Sequence, residues 1–241
     1  MKKKNLLLLH GWGYRSYSKI AKHSTPWYNK QKFINELKKH YNVYTLLFPG
    51  FCGEPEPKGS YDLDDYARYI DDYIKANDLE VDFILGNSFG GEVAVRYKTL
   101  INSSAKLILI VPAILRKNIN SKRFMHTPKL ILPLRNFLRD LYVIYVKQTP
   151  EMKYGTKFLR KSYQKIVRYN LINETKQFKP DEVLILLGTN DMMVDTNTIY
   201  SELSKKYRNN LHKIDGGHEL CETHKDKLVS YIFDFTLCDR A

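Results

Sequence analysis

No stretch of the 241 residues approaches the roughly eighteen consecutive apolar positions that a membrane-spanning helix needs. The nearest imitation is the start, where Met1-Lys2-Lys3-Lys4-Asn5 runs into four leucines as a secretory leader would. That run stops at His10-Gly11, too short for a leader's apolar core and without a small-residue cleavage site, so a buried first strand is expected. Cysteine is also scarce. Cys52, Cys221 and Cys238 make an odd number with no C-x-x-C pair, which argues against a disulfide frame or a zinc site. A reducing cytoplasm is the expected setting. Low-complexity tracts are missing, and 43% hydrophobic against 27% charged residues describes a globular chain able to bury a substantial core.

Acid is what the middle of the chain lacks. Residues 112–178 hold fifteen Lys or Arg against Asp140, Glu151 and Glu174, so nearly all of the net +13 sits in this segment. Such an excess fits either a lysine-rich solvated surface or a face that attracts an anionic partner.

What is present is a rhythm. Residues 5–9 read as a strand buried on both sides, because they do not alternate. Pro26 is placed to open a helix carrying Trp27, Phe33, Ile34 and Leu37 on one stripe. Val43 to Phe48 reads as the next strand, broken by Pro49-Gly50-Phe51-Cys52-Gly53. After Ser60 the apolar positions Leu63, Tyr66, Ala67, Ile70, Tyr73 and Ile74 recur at helical spacing, and the acids among them (Asp62, Asp64, Asp65, Asp71, Asp72) are expected to face water. Val81 to Leu85 and Ala105 to Val111 are further strands, with a helix carrying Val93, Tyr97, Leu100 and Ile101 between them. This β-α-β-α-β-α-β order predicts a parallel sheet with helices on both faces.

At Pro112 the rhythm changes. Residues 113–178 show helical stripes (Leu130 to Leu141; Phe158, Tyr163, Ile166, Val167), cut by Pro128, Pro133 and Pro150, and read as a helical insertion above the carboxyl edge of the sheet. The expected organisation is core at 1–112, insertion at 113–178 and core again at 179–241. The second core part supplies strands at Glu182 to Leu187 and Leu211 to Ile214, with a helix over Thr196 to Lys206 between them and a last helix bearing Leu228, Val229, Ile232 and Phe235.

Gly86-Asn87-Ser88-Phe89-Gly90 stands between a strand and a helix and matches G-x-S-x-G. A serine on so tight a turn needs small residues two places to either side, and its hydroxyl then stands clear of the sheet edge. A hydroxyl is a poor nucleophile without a base, and the base needs orienting. Of seven histidines, His23, His40, His126, His212 and His224 have no companion feature, and His10 adjoins the glycine turn His10-Gly11-Trp12-Gly13 and is expected to serve its backbone. His218 follows a strand through Gly216 and Gly217, at the same edge as Ser88. For the acid, Asp191 emerges just past a strand end at Gly188, with Asp195, expected to cap the next helix, as the alternative; Asp215 lies too close to His218 in sequence to face its ring.

The order Ser, Asp, His along the chain, with HGWG at 10–13, GNSFGG at 86–91, GTNDMMV at 188–194 and GGH at 216–218, resembles the α/β-hydrolase superfamily over essentially the whole chain, and within it the small cap-bearing serine carboxylesterases. FPGFCGE at 48–54 resembles a further turn of that family, with Phe48 where a polar residue is usual. The resemblance implies a mostly parallel sheet of about six strands, beginning at what would be the family's third strand, with the insertion as a helical cap. It also implies Ser88, Asp191 and His218 as catalytic residues and the backbone N–H groups of Trp12 and Phe89 as the oxyanion hole. The Trp12 indole, Met192 and Met193 would wall the pocket, and no metal or organic cofactor is called for.

A serine at the turn implies hydrolysis of carboxylic esters or thioesters through an acyl-enzyme, with amide and C–C bond hydrolysis open to the same three groups. The implied substrate is a small-molecule ester or one carried on an acidic carrier protein, which the basic segment would attract. The alternative from another class is an anionic-surface or nucleic-acid-binding protein, for which Tyr142, Tyr145, Tyr154, Tyr163 and Tyr169 interleave with the cations, although no nucleic-acid-binding module is recognised.

Overall fold

Leu6, Leu7, Leu8 and Leu9 are all fully buried, which one strand achieves only when both faces of its sheet are covered. The computed structural model describes residues 3–117 and 150–237 of the chain. Its strands are Lys4–Leu9 (β1), Tyr41–Leu46 (β2), Phe83–Asn87 (β3), Lys106–Ile110 (β4), Val183–Gly188 (β5) and Leu211–Ile214 (β6). They form one sheet in the order β2-β1-β3-β4-β5-β6, and every neighbouring pair is parallel.

Helices Gln31–His40 (α1), Leu63–Ala76 (α2) and Phe89–Ile101 (α3) connect the first four strands. Pro150–Tyr154 (α4), Lys157–Ile166 (α5) and Ile172–Thr175 (α6) lie between β4 and β5 in the chain, then Thr196–Leu203 (α7), Leu220–Thr223 (α8) and Lys225–Leu237 (α9) complete it. Leu7 and Leu9 join the core beneath α2, α3 and α7; Leu6 and Leu8 join the one beneath α1, α8 and α9. The run of leucines therefore feeds two cores by turns, through the two-residue period of a strand.

The chain leaves β1 toward β2 and then crosses back to β3 on the other side. That reversal opens a crevice at the carboxyl ends of β1 and β3, the place where open α/β sheets bind ligands.

Some local expectations need correction. Pro26 does not open α1: it precedes a short 3-10 turn at Tyr28–Lys30, and α1 begins only at Gln31. Trp27, Phe33, Ile34 and Leu37 are nonetheless all buried. The second strand starts two residues early, so Phe48 lies past its end, buried, with its N–H donated to Nε2 of His10 at 3.1 Å. The acids of α2 do not simply face water. Asp62 and Asp65 form a capping box, and Asp64 takes both arms of Arg96 at 2.5 and 3.1 Å. The stripe from Leu130 to Leu141, together with His126, Pro128, Pro133, Tyr142, Tyr145 and Cys238, lies outside the described residues. Among the described residues no helix is long and apolar enough to cross a membrane.

Candidate active site

The elbow at Ser88 is built from backbone constraints. Ser88 has φ 54° and ψ −112°, a conformation that L-residues rarely adopt. It is held there from both sides: its N–H donates to Ile110 O at 2.9 Å, and its carbonyl accepts from Ala113 N at 3.0 Å and Gly91 N at 3.0 Å. Such a turn brings β3 and the start of α3 almost into contact. A Cβ on Gly86 would lie 2.5 Å from the Gly90 carbonyl oxygen, and one on Gly90 would lie 2.1 Å from Leu9 O. The glycine spacing is thus a packing requirement. Phe89 is the first residue of α3, so its N–H has no acceptor one turn back.

Asp191 leaves β5 through the turn that follows Gly188. Its Oδ1 accepts from the backbone N–H groups of Met193 (2.7 Å) and Val194 (2.9 Å), which leaves Oδ2 for the Nδ1 of His218 at 2.7 Å. The carboxyl is buried, and burial pushes its pKa up. The bond and charge of His218 and the two backbone donors outweigh that, holding the group below the usual carboxylate range. The loops bearing Asp191 and His218 are tied together, since Asn190 N donates to Gly216 O at 2.9 Å and the Thr189 and Asn190 side chains both bond Asp215.

The other ring nitrogen of His218, Nε2, lies 2.8 Å from Ser88 Oγ. The structure therefore brings Ser88, His218 and Asp191 into one relay, from loops after β3, β6 and β5. Asp195 is not part of it: its side chain caps α7 through Thr198 N.

His10 does serve backbone. It is buried, with Nε2 accepting from Phe48 N–H and Nδ1 therefore donating to Gly11 O at 2.9 Å. Burial lowers its pKa to about 4, against the smaller pull of the Gly11 carbonyl, so the ring is neutral at pH 7. That pins the glycine turn beside the elbow. Trp12, in the turn, packs edge-on against Phe89 (5.0 Å) and Phe51 (5.2 Å) and donates its indole N–H to Tyr17 Oη at 2.7 Å.

A cleft of about 390 Å³ opens over Ser88, walled by Trp12, Tyr28, Lys30, Met193, His218 and Glu219 among others. Met193 lines it as expected, but Met192 does not: the residue is 76% exposed to solvent.

The sequence reading passed over Glu92 and Arg116. Glu92 sits one helical turn past Ser88, fully buried, and receives a two-armed bond from Arg116 at 2.5 and 3.0 Å; Arg116 also reaches Ile166 O at 3.3 Å. The next residue, Lys117, donates its Nζ to the Asp191 carbonyl at 2.5 Å. A glutamate on the buried face of α3 was the visible signal, but its partner is 24 positions away with no spacing rule to find it. Among the described residues no three His, Cys, Asp or Glu side chains are grouped to hold a metal.

A model described as the alpha/beta hydrolase family matches residues 6–229. A Mycoplasma genitalium protein named "Putative esterase/lipase 2" is 26% identical over 97% of this chain and 90% of its own length. Its namesake in Mycoplasma pneumoniae is 23% identical over 90% and 82%. Among solved structures, a meta-cleavage product hydrolase of Pseudomonas fluorescens superposes with a TM-score of 0.67 at 19% identity, covering 98% of this chain and 91% of that one.

Proposed function

The chain belongs to the alpha/beta hydrolase family, and we propose that within it this protein is a serine hydrolase that cleaves carboxylic esters or thioesters through an acyl-enzyme. One observation carries the reading: the His218 ring bridges the Ser88 hydroxyl and the Asp191 carboxylate at 2.8 and 2.7 Å. In that position Nε2 takes the proton from Oγ as the oxygen attacks a carbonyl carbon. Asp191 holds the tautomer that leaves Nε2 free to accept and stabilises the imidazolium that forms.

The tetrahedral oxyanion would be met by the N–H of Phe89 and that of Trp12. The first stands at the start of a helix, where free donors and the dipole favour negative charge. His218 then returns the proton to the departing alcohol or thiol. Water, deprotonated by the same nitrogen, hydrolyses the acyl-enzyme and restores Ser88. The esterase/lipase name of the Mycoplasma relatives supports the ester class over amides.

The test is turnover of p-nitrophenyl esters of rising chain length beside the Ser88→Ala variant. The expected result is hydrolysis by the wild type and a loss of several orders of magnitude in kcat/KM for the variant, as follows removal of a triad serine. Covalent labelling of the wild type, but not of Ser88→Ala, by a fluorophosphonate is the second expected outcome. Absence of both turnover and labelling in folded protein overturns the reading.

A further inference from the structure

One cation lining the cleft is engaged by two acids at once. Lys30, at the end of the 3-10 turn before α1, places its Nζ 2.9 Å from Glu219 Oε2 and 2.9 Å from Glu222 Oε1. Its side chain is only 12% exposed, while that of Glu219 is 55% and that of Glu222 29% exposed. Glu219 is the residue directly after His218, and Glu222 lies in α8 on the same connection. Lys30, Glu219, Glu222, His218 and Ser88 all border one cleft.

We propose that Lys30 is a positioning residue for His218: it ties the histidine loop to the turn before α1 and offsets the carboxylate charge that stands beside the imidazole. The inference rests on the reading of His218 as the base.

The stretch between the tied Gly216 and the buried Leu220 is the part that such a tie steadies. His218 follows two glycines, and the backbone bonds of its loop to the acid loop, Thr189 N to Ile214 O and Asn190 N to Gly216 O, stop short of it. Beyond the ring, α8 is a single turn. Lys30 supplies a fixed point from a separate element, one that is itself held by the buried Trp27 and by the Gln31 side chain on the Trp27 carbonyl.

The charge argument follows from who faces the ring. Asp191 bonds Nδ1, and Ser88 Oγ meets Nε2. Lys117 reaches the Asp191 carbonyl, not its carboxylate. Asp215 is turned to Thr189 and Asn190. Of the carboxylates lining the cleft, Glu151, Glu219 and Glu222, it is Glu219, next to His218 in the chain and coupled to its charge, whose field on the ring Lys30 offsets; Arg15 is the other cation of the lining. Burial would raise Glu219, but Lys30 and then His218 outweigh it and hold its carboxyl below the usual carboxylate range. Without Lys30, the negative charge at Glu219 would face the imidazole unopposed and favour its protonated form.

The experiment is the pH profile of kcat/KM for a p-nitrophenyl ester, together with an NMR titration of the His218 ring, in four variants. In Lys30→Met the acid limb and the ring titration both move to higher pH by about half a unit or more, so that kcat/KM on the acid limb falls about threefold or more. Lys30→Arg retains the wild-type limb. Glu219→Gln alone moves the limb down, and the double variant Lys30→Met with Glu219→Gln brings it back toward wild type. If Lys30→Met does not fold, Lys30→Gln, polar and uncharged, takes its place. The proposal is overturned if the folded Lys30 variant leaves the ring titration where it was, or if the double variant fails to restore it. Because the NMR titration needs no turnover, it separates failure of this inference from failure of the ester-hydrolase reading.

Discussion

A histidine that holds a turn and a histidine that bridges an acid and a serine differ in what their nitrogens touch. His10 spends both on main chain, one as donor and one as acceptor, and a proton on Nε2 would cost it the Phe48 bond. The consequence is a pH-dependent stability. Its ring takes a proton near pH 6.5 in the unfolded chain but only near about 4 in the folded one. The unfolded state therefore binds more protons between those values. The contribution is intact above pH 6.5 and is lost as pH falls toward 4, amounting to about 3 kcal/mol. Glu92 acts in the opposite sense: burial raises its carboxyl to about 7 despite Arg116, so on acidification the folded state takes up that proton first. The His10 effect is accordingly read as a difference. In urea titrations across this range, the stability gap between wild type and His10→Gln is expected to narrow as pH falls from 6.5 to 4. A constant gap would show that the ring is not held neutral.

At the scale of elements, the strand–turn–helix around Ser88 depends on chains passing with no room for a methyl group. Gly90→Ala would set a Cβ against the carbonyl of Leu9, backbone meeting backbone, where no side chain can yield. The expected cost is about 1–3 kcal/mol at least, with a matching fall in melting temperature. Gly13→Ala is the control for stability: nothing lies within 4 Å of its added Cβ, and its melting temperature should hardly move.

Much of this level was legible in the sequence. Apolar runs such as Leu6 to Leu9 and Leu184 to Leu187 mark strands covered on both faces, and G-x-S-x-G between a strand and a helix located the elbow. That Ser88, Asp191 and His218 meet was legible because each follows a strand end, and in a parallel sheet those ends share one edge. What escaped is of another kind. Pro26 is compatible with a first helical turn, yet the buried Trp27 anchors a 3-10 turn that delays α1 to Gln31. The acids of α2 look alike in sequence, but Asp62 and Asp65 cap while Asp64 pairs with Arg96 across to α3. Lys30 with Glu219, and Arg116 with Glu92, join positions that no local period relates.

For the whole molecule, the net charge of +13 is partly committed to internal contacts. Of the cations in the basic segment, Arg116 is taken by Glu92, Lys176 by Glu202, Lys165 by the Ser60 carbonyl and Lys117 by the Asp191 carbonyl. The aromatic interleaving is also partly structural, since Tyr163 packs against Trp12 and Tyr154 stacks on Tyr14. If the remaining charge serves substrate capture, hydrolysis of an ester on an acidic acyl-carrier protein should fall steeply with salt, while that of p-nitrophenyl acetate stays level, because screening weakens only the encounter of opposite charges. An equal response of the two substrates would remove the reason to assign the basic segment that role.

β1 has one further implication. Its leucines belong by turns to the cores on either face of the sheet, and its carboxyl end supports both the glycine turn and the elbow. Neither layer can therefore come apart while the other stays dry. Damage to one half of the molecule is inherited by the other, and by the serine poised where the two meet.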